Sequence, residues 1–292
     1  MYFHRSLTLE LHNITRGNEI LMRRDAKLRT LSVKGTFATD YDISTQKNAQ
    51  HDGVTVTNTS LGARMIPITF EFRYYKDAVK LREELIHFFS PRFEYELTIT
   101  RDDIKRKIGC IMWHIDDDAI ENVHDYYQFG MELMCPDPCF EDIQYTTVNF
   151  LTFAPMMSYP LAFPPAGMTT GVPLILDDFN VNNPGDTPVG VVIDIDVHGG
   201  DMVNPKITRV HKDTVDEFVS LPREFTSGTK IRIDTNFKRE NVYINGVSDF
   251  RVQWQSDFFL LYPGDNKLLL AADEGVGNAR TSVKFKNKWF GV

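Results

Sequence analysis

In the first third of the chain, apolar residues tend to fall on every second position. In LTLEL, Leu7, Leu9 and Leu11 share a face. In RMIPITFEFRY, Ile66, Ile68, Phe70, Phe72 and Tyr74 lie opposite Thr69, Glu71 and Arg73. FEYELTIT repeats the pattern with Phe93, Tyr95, Leu97 and Ile99. A period of two belongs to half-buried strands. KIGCIMWHI and YYQFGMEL predict two more strands, joined by the acidic DDDAIENVHD segment. Pro67 has no N–H to give a ladder, so its strand is expected at an edge or at a bulge. One segment has helical spacing. In KDAVKLREELIHFF, Ala78, Leu81, Leu85, Phe88 and Phe89 form one stripe, with Asp77 placed as N-cap and Ser90-Pro91 as the stop. Strands flanking a single helix predict an α+β unit with the helix over one sheet face.

Between residues 38 and 60 the periodicity fades into a polar stretch, with only Val54-Thr55-Val56 suggesting a short strand. A loop of this length in a compact domain generally has a function. The expectation is a segment that orders against a partner, with Asp40, Tyr41, Asp42, Gln46, Lys47 and His51 as candidate assembly residues. A second break follows at Cys135, Pro136, Asp137 and Pro138, where two prolines stiffen the chain. It is read as the domain junction, dividing residues 1–138 from 139–292. The Pro-, Met- and aromatic-rich residues 139–175 form an irregular connecting segment.

The second half reads as nearly all strand. In VGVVIDIDVHGG, Val189, Val191, Ile193, Ile195 and Val197 take one face, and Gly190, Val192, Asp194, Asp196 and His198 the other. Asn245-Gly246 signals a two-residue type I′ hairpin, and Pro263-Gly264-Asp265-Asn266 a further turn. Short strands punctuated in this way predict a β-sandwich or jelly roll.

Charge narrows the function classes. Residues 1–140 carry 18 basic and 21 acidic side chains and the remainder 14 and 19, so neither half has the basic surplus of a nucleic-acid-binding domain. No apolar run has the length of a membrane span, and MYFHRSLTLEL lacks the layout of a secretory signal, which predicts synthesis and folding in the cytoplasm. Three cysteines, Cys110, Cys135 and Cys139, are too few for a disulfide framework, and a lone CxxxC pair is a weak zinc signal. Asp194, Asp196, His198 and Asp201 could converge on a cation, but a solvent-facing strand face is polar in any case. No nucleophile elbow, phosphate loop, HExxH or dinucleotide fingerprint occurs, so no catalytic residue, cofactor or metal is expected. Trp254 and Trp289 could stack on a sugar, although large aromatics are more often buried.

With these patterns in place, the chain resembles the distal tail proteins (Dit) of long-tailed phages, within the siphophage tail-component family. The carriers are ARMIPITFEF, the helix with Leu81, Arg82 and Leu85, the CPDPCFED junction, NPGDTP, NPKI, SGTKIRIDT, the INGV hairpin, LYPGDNKL and the closing VKFKNKWFGV. The resemblance implies a mainly β, non-enzymatic protein. An N-terminal α+β ring-forming domain (a β-sheet or barrel with one helix) would be followed by a C-terminal galectin-like β-sandwich. It further implies a homo-hexamer at the virion tail tip, assembled in the host cytoplasm. The major tail tube protein would lie above it and a baseplate hub or tail-associated protein below. The sandwich would be free to carry a receptor-binding protein, and genomic DNA would pass through the lumen unbound. A carbohydrate-binding adhesin stacking glycan on Trp254 and Trp289 is the alternative.

Overall fold

The computed structural model describes residues 7–37, 41–48, 52–72, 78–116, 128–149, 151–155, 171–175, 178–210, 216–249 and 256–292. Asp40, His51, Asp77 and Trp254 lie outside these residues. The fold is mainly β with one α-helix among the described residues, in two compact units. The first comprises residues 1–143 with 288–292, and the second residues 144–287.

The first unit contains β1 (Leu7–Asn13), β2 (Asn18–Arg23), β3 (Leu28–Val33), β4 (Tyr41–Lys47), β5 (Val54–Leu61), β6 (Arg64–Phe72), α1 (Ala78–Phe88), β7 (Glu94–Arg101), β8 (Ile104–Asp116), β9 (Gln128–Cys135) and β10 (Phe140–Asp142). Seven of these strands close a barrel in the order β8, β7, β1, β2, β3, β6, β9 and back to β8. Closure removes the free edges that invite stray pairing. The alternation read from sequence sets the inside. Leu9, Leu11, Ile66, Ile68, Phe70, Phe72, Tyr95, Leu97 and Ile99 are all buried in one core, with Leu85, Phe88 and Phe89 of the helix packed among them. Each such side chain stabilises the fold by about 1.5–3 kcal/mol through burial. The Tyr95 hydroxyl donates to the Phe88 carbonyl at 2.8 Å and accepts from the Ser90 amide at 2.7 Å, tying off the end of α1.

Pro67 does not mark an edge. β6 is paired on both sides, to β3 and to β9, and the register shift between β3 and β6 lies farther along, at Thr30–Ser32. The Pro67 carbonyl accepts from the Lys34 amide, so the proline nitrogen faces the same side, just past the last paired residue of β3. The missing donor costs no ladder bond there.

In the second unit, β11 (Thr146–Asn149), β12 (Leu151–Pro155) and β13 (Gly171–Ile175) fall within the stretch expected to be irregular. They precede β14 (Asp178–Asn183), β15 (Val192–Val197), β16 (Met202–Val203), β17 (Lys206–Val210), β18 (Glu217–Ser220), β19 (Glu224–Phe225), β20 (Lys230–Asp234), β21 (Asn241–Ile244), β22 (Val247–Ser248), β23 (Gly264–Ala271) and β24 (Ala279–Phe285). Two sheets dominate, in the orders β11-β24-β15-β20-β21-β22 and β14-β23-β17-β18. Ile193, Ile195, Ile231, Ile233 and Val283 from the first share one core with Val181, Ile207, Val219 and Leu268 from the second, which makes a β-sandwich. Asn245 and Gly246 both have positive φ (49° and 80°), the type I′ hairpin that the sequence predicts.

The last strand, β25 (Lys288–Trp289), belongs to the first unit. It pairs antiparallel with β10, Phe140 opposite Trp289 and Glu141 opposite Lys288, and β10 pairs with β8. The compact units therefore divide after Ile143 and again after Asn287, where the sequence reading placed one boundary after Pro138 and gave every later residue to the sandwich.

Candidate assembly surfaces

Among the described residues, β4 and β5 form a two-stranded sheet with no other partner strand. The polar stretch expected as a loop is therefore a ribbon, and Tyr41, Asp42, Gln46 and Lys47 sit in its first strand. Tyr41 faces Leu61, Ile43 faces Thr59, Thr45 faces Val56 and Lys47 faces Val54. The register shifts between Ser44 and Thr45, where Thr57 is the extra residue and its hydroxyl donates to the Ser44 carbonyl at 3.1 Å. That bulge changes the parity of β5, so even-numbered Val54 and Val56 share the face of odd-numbered Leu61. One face of the ribbon thus gathers Tyr41, Ile43, Val54, Val56 and Leu61 alongside Thr45, Thr59 and Lys47, the other holds Asp42, Ser44 and Gln46, and four of the apolar residues of that first face stay exposed. Tyr41 is 55% exposed, Ile43 58%, Val54 53% and Val56 56%. A lone two-stranded ribbon is marginal in water, and exposed apolar faces of this kind mark interaction sites.

The residues read as the domain junction lie within the first unit. Cys135 ends β9 and is buried, as are Cys110 and Cys139, and all three are in the reduced, thiol form. A hydrogen bond to Cys135, together with burial, pushes the Cys110 thiol well above its ordinary value, which leaves it protonated and inert. Asp137 accepts from the Cys139 amide at 3.1 Å and pairs with Lys288 at 2.6 Å. The Pro138 carbonyl accepts from Arg64 Nε at 2.7 Å.

Arg64 is the centre of a clasp that sequence reasoning missed. It is 1% exposed, with its guanidinium 4.8 Å from the Phe140 ring centroid. Besides Pro138 it donates to the carbonyls of Gly35, at 2.5 Å, and Phe290. Arg101 donates to the Val292 main-chain oxygen at 2.8 Å, Arg106 to the Gly291 carbonyl, and the Val292 amide to the Thr36 carbonyl at 2.9 Å. Gly291 is required where the tail passes the 34–37 turn, because a Cβ there would lie 2.6 Å from the Phe37 oxygen. The only sequence signal was an arginine in the inward register of an apolar strand.

Trp289 takes part in the same clasp. Its indole N–H donates to Asp142 at 2.9 Å, and the Arg106 guanidinium covers its ring at 4.1 Å. In the sandwich, Asp194 is held by Arg232 at 2.7 Å and Lys284 at 2.8 Å. Burial alone would raise its carboxyl, but the hydrogen bonds and charges of these two cations outweigh it and keep it below the ordinary carboxylate range. His198 Nδ1 lies 3.2 Å from the Asp196 carbonyl, and Asp201 accepts from the Ser227 amide. The suspected cation ligands therefore do not converge, and among the described residues no cluster of three or more metal-ligating side chains occurs. No helix among them is long and apolar enough to cross a membrane.

Comparison with known proteins bears on both units. Residues 16–135 match the family model described as the phage tail protein RIFT-related domain, and residues 184–289 that of the siphovirus-type tail component, C-terminal domain. The matched ranges together span most of the chain. No curated protein matches it. Among solved structures, the Dit protein of phage SPP1, described as a paradigm of the hub adsorption apparatus of phages infecting Gram-positive hosts, superposes with a TM-score of 0.70. The identity is 15%, over 96% of this chain and 98% of that one. A chain of the phage P2 baseplate in its calcium-activated conformation gives a TM-score of 0.52 at 10% identity, over 99% of each chain. The strontium-activated baseplate gives 0.50 at 11%, over 98% of this chain and 99% of that one. With both family models matched in order along one barrel-and-sandwich chain, the protein belongs to the siphovirus-type tail components, as a distal tail (Dit) protein of a phage tail.

Proposed function

We propose that six copies of this chain close a ring at the distal end of the tail, with the barrel units forming the ring and the β4–β5 ribbon of each engaging its surroundings in the assembly. The ring joins the major tail tube protein to the baseplate hub or tail-associated protein. The sandwich, galectin-like in this reading, faces outward and is free to carry a receptor-binding protein. Genomic DNA passes through the lumen unbound, in keeping with the acidic balance of both halves of the sequence. The protein works at the virion tail tip after assembly in the host cytoplasm, as a structural part and without catalysis. The likeness to SPP1 Dit and to chains of the P2 baseplate supports a hub position.

The observation that carries this reading is the ribbon. Among the described residues the ribbon pairs with no further strand, and it holds Tyr41, Ile43, Val54 and Val56 exposed along one face. A heterologous contact that closes on itself generates a ring. The test is native mass spectrometry with negative-stain imaging of the intact chain and of a variant whose residues 41–61 are replaced by a short Gly-Ser turn. The intact chain should give six-fold rings, alone or on added tail tubes, and the variant should stay folded but monomeric. Six-fold rings from the ribbonless variant would overturn the role given to the ribbon. Absence of any ring from the intact chain, with and without tubes, would overturn the ring.

A further inference from the structure

Two cysteines that the assembly reading leaves unused stand side by side in the barrel wall. Ile111 of β8 pairs with Met134 of β9. The next position on each strand is a cysteine, Cys110 on β8 and Cys135 on β9, and both are buried. β7 places Tyr95 opposite Cys110, and β6 places Arg64 opposite Cys135. Tyr95, Cys110, Cys135 and Arg64 therefore make one buried row across four strands. The outer two are fixed, Tyr95 by its hydrogen bond to the Phe88 carbonyl and Arg64 by its bonds to the Pro138 and Gly35 carbonyls. The two thiols between them are in hydrogen-bonding contact. Facing residues of antiparallel strands have Cα atoms about 4.5–5.5 Å apart, inside the roughly 4.4–6.8 Å that a disulfide spans. Cys139 stands outside the row, where its amide donates to Asp137.

We propose that Cys110 and Cys135 are a latent disulfide, a covalent staple between β8 and β9 that forms when the protein passes from a reducing to an oxidising medium. The closed barrel keeps both thiols dry and protonated, so the reaction waits on an opening of the β8–β9 seam. That seam carries the register shift between Met112 and His114, just beyond Cys110. A thiol exposed by such an opening ionises and attacks hydrogen peroxide. Its sulfur is oxidised to a sulfenic acid, and the peroxide is reduced to water. Reclosure brings the second thiol to the sulfenic sulfur. The S–S bond forms, the S–O bond breaks, and the hydroxyl leaves as water with the second thiol's proton. Two thiols and one peroxide thus give one disulfide and two waters. The bond holds the seam shut, and closing the loop between residues 110 and 135 disfavours the unfolded barrel. A reducing cytoplasm keeps the pair as thiols, and the medium outside a cell favours the disulfide. That timing rests on the assembly and release proposed above, whereas the pairing does not.

The test is peptide mapping by mass spectrometry of the full chain, kept under dithiothreitol or exposed to hydrogen peroxide, then unfolded and alkylated. The reduced chain should alkylate at all three cysteines. The oxidised chain should alkylate at Cys139 alone and yield a linked Cys110–Cys135 peptide. Its barrel transition should rise by about 5 °C in scanning calorimetry, and dithiothreitol should reverse the rise. Cys110→Ala should lose both the linked peptide and the rise; the map of the parent chain decides the pairing even where that variant folds poorly. Three results would overturn the proposal. These are peroxide that oxidises methionines yet leaves all three cysteines free to alkylate, a link through Cys139 or between two chains in place of Cys110–Cys135, or oxidation that ends in sulfinic acid without a link. None of these readouts depends on ring formation, so failure here leaves the ring reading standing.

Discussion

Removal of residues 288–292 tests the clasp most directly, because the sequence assigns those residues to the sandwich and the structure gives them to the barrel. The deletion takes away β25, the Trp289 contacts with Asp142 and Arg106, and three main-chain acceptors. Arg101 and Arg106 are only partly buried, and water can replace what they lose. Arg64 is enclosed and cannot be compensated, and a hydrogen bond involving a charged group contributes about 1.5–3 kcal/mol net. With about 1–2 kcal/mol for the partly buried indole, the total is about 4 kcal/mol, a large share of the roughly 5–15 kcal/mol that holds a domain folded. For a unit of this size that is a fall of about 8–16 °C in melting temperature. Scanning calorimetry, with hydrogen exchange to identify the unit, should show the barrel losing protection and the sandwich keeping its own. Arg64→Lys should lower the barrel transition by about 3 kcal/mol, since one ammonium cannot span carbonyls that a guanidinium fork reaches together. A sandwich that loosens while the barrel stays intact, or an Arg64→Lys protein melting within about 2 °C of the parent, would refute the reasoning.

Other outcomes follow from single positions. Tyr95→Phe removes the hydroxyl that donates to the Phe88 carbonyl and should cost about 1 kcal/mol by urea denaturation, the Asn13 side-chain amide still reaching that carbonyl at 3.3 Å. Gly35→Ala places a Cβ against the Met65 carbonyl at a φ of +74° and should destabilise the barrel by more than the roughly 1–2 kcal/mol of a left-handed alanine, read as a lower urea midpoint. Because the Asp194 carboxyl lies below its ordinary value in the folded protein, its contribution is complete above that ordinary value of about 3.9 and is lost as the pH falls through the folded value. The acid limb of the sandwich's stability profile should therefore flatten in Asp194→Asn. Lys288 shows the opposite sign. Burial would lower it, but Asp137 and Glu141 outweigh that and raise it, so its contribution holds below about pH 10.5 and is lost on further alkalinisation. Lys288→Met should remove that alkaline loss in a pH series of melts.

The core was legible in the sequence because strand alternation and burial obey one rule. All five apolar positions from Val189 to Val197 point inward, as do Ile66, Ile68, Phe70 and Phe72. Barrel closure was not legible. It rests on the pairing of β8 with β9, which shifts register between Met112 and His114, and no local pattern encodes a long-range register. The ribbon was hidden for a related reason, since its bulge at Thr57 breaks the period of two halfway along β5 and threonines fill the rest. The return of the last residues to the barrel depends on a two-residue strand, too short to carry any period. Of the candidate site, Tyr41, Asp42, Gln46 and Lys47 were found as residues of a polar gap and Val54-Thr55-Val56 as a short strand within it, but nothing local told that Val54 and Val56 would lie on one face with Tyr41 and Ile43.

The pairing of β10 with β25 also places a condition on synthesis. A ribosome makes Arg64 early, but the Phe290 carbonyl that Arg64 binds emerges only after the whole sandwich has been translated. Until then the barrel holds a buried cation with one acceptor missing. A chain truncated anywhere in the sandwich never acquires it. The clasp thus acts as a check on completeness, and nascent or broken chains enter any assembly that needs a firm barrel at a disadvantage to finished ones.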